Sequence, residues 1–87
     1  MSATPDLVAL GAAVRESRAA RGFSQEALGF ASTLHRNIVG SIERGEINAS
    51  FRTLVRLAVG LRVRLSDLIV IYERNMGEPT WWLADAT

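Results

Sequence analysis

Between residues 35 and 44 the chain reads HRNIVGSIER, a stretch that joins two arginines and an asparagine to two very small residues. On a helix, where successive side chains turn by about 100°, His35, Ile38, Val39 and Ile42 share one arc. Arg36, Asn37, Gly40, Ser41 and Arg44 share the arc opposite. The first arc suits a protein core. The second carries groups that suit the edges of base pairs, because arginine can donate two hydrogen bonds to guanine and asparagine can bond twice to adenine. Gly40 and Ser41 would let another surface come close. Taken alone, the same arc would serve as an ordinary solvated face, so the rest of the chain must decide.

Two further sets of residues bear on that decision. Arg18 falls on the apolar stripe of Leu7, Leu10 and Val14, where a guanidinium must either run its stem out to water or meet a carboxylate. Glu43, at the edge of the inner arc near the end of its helix, is the best-placed partner, and an Arg18–Glu43 bridge would hold that helix at a set tilt. Gln25 opens a helix whose free N–H groups favour an anion. Arg44, Arg52 and Arg15 could lie along phosphates on either side of the reading arc, positioning the protein without reading sequence.

Composition narrows the function classes. The chain has 87 residues, 48% of them hydrophobic, enough for one small packed domain. It contains no cysteine and one histidine, which excludes a disulfide framework, a thiolate nucleophile and a histidine cluster, so no metal or other cofactor is expected. Glu43 and Glu46 lie beside arginines at a helix end and do not make a catalytic carboxylate pair. No glycine-rich phosphate loop follows a strand, and an enzyme is therefore not expected. The N-terminus lacks the basic start and apolar run of a secretion signal, and nothing is long enough to span a membrane, which implies a cytoplasmic protein with no membrane partner. Net charge is +1, but residues 15–64 carry nine arginines against four glutamates while residues 65–87 carry one arginine against four acids. A basic middle and an acidic tail result.

The elements that must position these groups follow from period and punctuation. Pro5–Asp6 starts a first helix that Gly22 stops, and Ser24 caps a second carrying Ala27, Leu28 and Ala31. Ser32–Thr33–Leu34 interrupts it before a third helix, about 35–44, closed by Gly45. Ser50 precedes a fourth, whose stripe is Phe51, Leu54, Val55, Leu57, Ala58 and Leu61. Ser66–Asp67 caps a fifth, from Leu68 to about Arg74. An all-α domain over residues 1–74 is expected, with a C-terminal tail over 75–87.

This pattern resembles the helix-turn-helix of the Cro/CI-type (XRE) transcriptional regulators, carried by LGAAVRESRAARGFSQEALGFA, LHRNIVGSIERGEINASFRTLVRLA and LRVRLSDLI. Around LHRNIVGSIERGE it is also similar to the small controllers of restriction-modification operons. The resemblance implies a five-helix lambda-repressor-like fold whose second helix crosses the DNA backbone and whose third enters the major groove of double-stranded DNA. It places His35, Arg36, Asn37 and Ser41 among base readers, Gln25, Arg44 and Arg52 near phosphates, and Arg18 with Glu43 in an internal salt bridge. Three positions depart from the family: Thr33 and Arg62 stand where glycine usually ends a helix, and Ser17 replaces a core leucine, a gap Phe23 or Phe30 could fill.

One such unit covers too little duplex for useful specificity, so a homodimer is expected, joined through Leu68, Ile69, Ile71 and Tyr72 of the fifth helix and Trp81 and Trp82 of the tail. The expected function is sequence-specific control of transcription, with no small-molecule ligand. A protein-interaction module, such as an antitoxin using the same scaffold, is the alternative.

Overall fold

The computed structural model describes residues 4–77. Those residues form five helices, α1 (Pro5–Ala20), α2 (Gln25–Ser32), α3 (Arg36–Glu43), α4 (Phe51–Leu61) and α5 (Leu65–Met76). Their starts are chemically explicit. Pro5 opens α1, where its missing N–H costs nothing. The Ser24 hydroxyl accepts from Ala27 N–H at 3.0 Å and the Ser50 hydroxyl from Thr53 N–H at 3.1 Å. At α3 the cap is His35, whose Nδ1 accepts from Asn37 N–H at 3.0 Å. The start of α5 differs from expectation. Ser66 and Asp67 lie inside the first turn, and Arg64 is the cap residue, its backbone N–H donating to the Asp67 carboxylate at 3.0 Å.

Four helices end alike. The residue after the last turn takes a left-handed conformation, and the next N–H reaches back five residues, from Phe23 to Arg18, Leu34 to Gly29, Glu46 to Ser41 and Val63 to Ala58. Glycine occupies the left-handed position at Gly22 and Gly45, with φ of 72° and 71°. At the other two it is Thr33 and Arg62, both with φ of 58°. The turn geometry is thus kept despite side chains that resist it.

Leu10, Ala13, Val14, Leu28, Val39, Ile42, Leu57, Leu61 and Leu68 form one core. α1 packs on α3 and α5, and α2 packs on α3 and α4, so α3 is gripped by two neighbours at once. Close crossings let this happen: a Cβ on Gly11 of α1 would sit 2.4 Å from the Ile42 carbonyl oxygen of α3. Asn75 Nδ2 also donates to the Ala9 carbonyl at 3.1 Å, fixing the end of α5 to α1.

Several expected core residues lie elsewhere. Ala27, Ala31 and Val55 are exposed and Phe51 is 71% exposed, because the buried stripes of α2 and α4 are narrower than their apolar content. Ser17 is buried and Phe23 packs against the core, whereas Phe30 is 90% exposed and fills no gap there. Leu68, expected at a dimer contact, is fully buried in this chain's own core and cannot serve there. Ile69, Ile71 and Tyr72 are half-buried on the same helix. Trp81 and Trp82 lie outside the described residues.

The two left-handed non-glycine residues are both exposed, so relieving their strain removes no packing. We expect Thr33→Asn and Arg62→Asn each to stabilise the fold by about 0.5–1 kcal/mol, since asparagine tolerates this conformation. Thermal unfolding should show additive rises of several degrees, and a fall in either variant would contradict the strain.

Candidate nucleic-acid interface

The site is organised around Glu43 at the C-terminal end of α3. Its side chain is fully buried and both of its oxygens accept hydrogen bonds. Arg18 Nε donates to Oε2 at 2.6 Å and Arg18 Nη2 to Oε1 at 3.0 Å, a two-pronged contact from α1. Gln25 Nε2, from the first turn of α2, donates to Oε1 at 3.0 Å, and Arg15 Nε approaches the same oxygen at 3.4 Å. The remaining Arg18 nitrogen, Nη1, donates to the Phe23 carbonyl at 2.8 Å in the turn between α1 and α2. One carboxylate therefore joins α1, α2 and α3.

Burial alone would push the Glu43 carboxyl up. The hydrogen bonds from Arg18 and Gln25, the Arg18 charge and the Arg15 contact outweigh it, and the group is held below its ordinary value of 4.5. The Arg18 guanidinium moves the opposite way, held further above its usual range chiefly by the hydrogen bond to Glu43.

α3 is turned differently from the simple two-arc division. Val39, Gly40, Ile42 and Glu43 are buried, whereas Ile38, assigned to the inner arc, is 39% exposed. Gly40, assigned to the centre of the outer arc, lies under two side chains: a Cβ there would stand 3.0 Å from Arg44 Nη1 and 3.3 Å from Gln25 Oε1. The reason is the double grip on α3, which draws its buried side toward α2 at Gly40 and toward α1 at Glu43. His35 is exposed ahead of the helix rather than in the inner arc. Its Nδ1 is used as the cap, so in the neutral ring the proton sits on Nε2 and remains available to donate.

The exposed edge that results contains Arg36, Asn37 and Ile38 in the first turn, then the half-buried Ser41 and the exposed Arg44. Arg36 Nη1 donates to Glu26 of α2 at 2.6 Å. Arg44 folds back along the helix, with Nε and Nη2 on Glu46 at 2.8 and 3.1 Å and Nη2 near the Ser41 hydroxyl at 3.4 Å. The Glu46 hydrogen bond is the main reason that Arg44 is held above its usual range and Glu46 below.

Of the expected phosphate contacts, Gln25 and Arg15 stand together at Glu43, where Gln25 spends one amide hydrogen and keeps the other. Arg52 stands apart on α4, exposed and beside Phe51 and Val55. Glu26, Glu46 and Ile38 are parts of this surface that residue spacing does not announce. The two glutamates meet arginines across a turn or past a helix end. Ile38 is an exposed β-branched residue beside Asn37, apolar surface of the kind that meets a thymine methyl group.

Because the Glu43 carboxyl is lowered in the fold, its stabilising contribution is complete above its ordinary value and is lost as pH falls through the lowered one. We expect Glu43→Gln, which keeps shape but removes charge, to cost about 2 kcal/mol at neutral pH. The wild type should lose stability more steeply than the variant below pH 4.5. Denaturant titrations across that range check both, and equal stability at neutral pH would contradict the arrangement.

Comparison with known proteins agrees with this geometry. The family described as Helix-turn-helix matches residues 14–68. The control protein C.SmaI of Serratia marcescens is 41% identical over 56 residues, covering 64% of this chain and 67% of that protein. The restriction-modification controller protein C.AhdI from Aeromonas hydrophila superposes with a TM-score of 0.73 at 43% identity, over 75% of this chain and 98% of that one. The clp gene regulator ClgR from C. glutamicum superposes with a TM-score of 0.79 at 27% identity, over 85% and 96% of the two chains. The family match reaches from the core of α1 through both helices of the turn to the buried Leu68 of α5, and the chain belongs to the helix-turn-helix family of Cro/CI (XRE) type.

Proposed function

We propose that this DNA-binding transcriptional regulator acts as a homodimer that reads the major groove with the exposed edge of α3. His35, Arg36, Asn37 and Ser41 face base edges in this reading, and Ile38 adds an apolar contact. The observation that carries it is the fixed setting of that edge. α3 has only eight residues and would not hold a shape by itself, yet its far end is tied through Glu43 to two other helices. A rigid rod with short polar side chains is what base readout needs. Gln25, Arg15 and Arg52 then meet phosphates and set the register. Arg44, over Gly40 and beside Ser41, lies closer to the reading edge than a purely phosphate-contacting residue requires. The named role of C.AhdI makes a restriction-modification promoter the first target to examine.

Pairing over two half-sites needs a second surface. A groove lined by Leu7, Leu10, Ala49, Leu54, Ile69 and Tyr72 opens between α1, α4 and α5, and Phe51 and Val55 stand exposed on α4 beside Leu54. We place the two-fold contact on this side, with Ile69, Ile71 and Tyr72 of α5 contributing and Leu68 excluded by its burial. Among the described residues no helix is long and apolar enough to cross a membrane.

Selection of bound duplexes from a random pool should return an inverted repeat with half-sites about one helical turn apart. Arg36→Ala should cost about 1–3 kcal/mol and relax preference at one position of each half-site, whereas Arg52→Ala should weaken binding to all duplexes and flatten the salt dependence by about 0.9 per contact. Absence of salt-sensitive binding to any duplex would instead favour a protein-interaction role. Phe51→Glu should leave thermal unfolding of the monomer intact and move the sedimenting species from dimer to monomer; a wild type that sediments as a monomer at tens of micromolar would remove the dimer.

A further inference from the structure

Both arginines on the α3 edge are already ion-paired in the free protein. Arg36 is held by Glu26 at 2.6 Å and Arg44 by both oxygens of Glu46. All four side chains are more than half exposed, between 52% and 72%. Pairs this wet contribute little to folding, so stability does not explain them. Arg52, the phosphate contact on α4, has no such partner among the described residues. The two cations of the α3 edge are clasped by exposed glutamates, whereas of the two assigned to anchoring Arg15 only approaches the buried Glu43 at 3.4 Å and Arg52 is open.

That contrast has a consequence for binding. Attraction to an arbitrary stretch of duplex comes from free cations that displace condensed counterions on phosphates. An arginine clasped by a carboxylate displaces fewer while the clasp holds, and the carboxylate itself repels phosphate. A guanine edge makes a different demand. With Nε and one Nη2 hydrogen of Arg44 on Glu46 and the other Nη2 hydrogen turned to the Ser41 hydroxyl at 3.4 Å, Nη1 keeps both of its hydrogens, and the long Ser41 contact is the one a base edge would replace. Nη1, joined by the Nη2 hydrogen released from Ser41, makes the pair a guanine edge accepts. Arg36 spends a single nitrogen on Glu26 and keeps the others. Hydrogen-bond readout can proceed with both clasps closed, whereas the counterion release that drives binding to bare phosphate is weakened while each arginine's charge is offset by its glutamate.

We infer that Glu26 and Glu46 are specificity-determining residues, which hold Arg36 and Arg44 in ion pairs that discourage contact with phosphate alone while leaving each guanidinium free to address a base. The inference rests on the reading of α3 as the helix that meets DNA. It assigns Glu46 a positioning role as well, because its grip keeps Arg44 over the buried Gly40, which has no side chain to obstruct it.

The test uses the full chain carrying Glu26→Gln and Glu46→Gln together, against two duplexes of equal length and composition. One bears the sequence selected by the wild type from a random pool and the other is its shuffled counterpart. Affinity for the shuffled duplex should rise about tenfold, with its salt dependence steepening by about 0.9 per released arginine. Affinity for the selected duplex should stay within about twofold or fall, so the ratio between the two collapses, while thermal unfolding is unchanged. An equal shift on both duplexes, or none on either, would overturn the role of the glutamates while leaving the reading of α3 intact. A wild type with no salt-sensitive binding to either duplex would overturn that reading and this inference together.

Discussion

Two oxygens of a buried glutamate hold α3 in place. Glu43 accepts a forked pair of hydrogen bonds from Arg18 on α1 and a further one from Gln25 on α2, while Arg18 also reaches the turn between those helices. Apolar packing by Val39 and Ile42 presses α3 against its neighbours, but hydrophobic contact has no preferred direction. Charged hydrogen bonds do. The bridge adds an angular constraint at the far end of a helix whose near end is set by the His35 cap.

The same constraint explains why so small a domain can present an exposed polar edge without losing shape. The buried carboxylate, the most expensive group to bury, meets its donors at one point, which leaves Asn37, Ser41 and the two edge arginines free of structural duty. Strain is accepted in the turns instead. Thr33 keeps the left-handed conformation at the centre of the helix-turn-helix because the following Leu34 N–H must reach Gly29, and because a Cβ on Gly29 would collide with the Leu34 carbonyl at 2.6 Å. The turn is as tight as backbone allows, and side-chain comfort is secondary.

Much of this was legible from residue order. Helix number, the caps at Ser24 and Ser50 and the stops at Gly22 and Gly45 follow from local rules that act over a few residues. The partnership of Arg18 and Glu43 followed from a charge stranded on an apolar stripe. What local rules could not supply was the rotation of α3. With two neighbours pulling on an eight-residue helix, the buried side includes Gly40 and Glu43 and releases Ile38, a choice fixed by tertiary contact rather than by hydropathy. Leu68 was misassigned for a related reason: an apolar run along α5 does not say which member enters the core. The clasps at Arg36 and Arg44 join residues ten and two apart, outside the spacings at which helical neighbours meet.

Chemical interference tests most directly whether the α3 edge meets the major groove. Duplexes methylated sparsely at guanine N7, which lies in the major groove, or at adenine N3, which lies in the minor groove, are mixed with the protein and the bound and free fractions compared. The account requires guanine N7 methylation within each half-site to exclude duplexes from the bound fraction while adenine N3 methylation at those positions does not. Exclusion by adenine N3 methylation alone would place the protein in the other groove and contradict it.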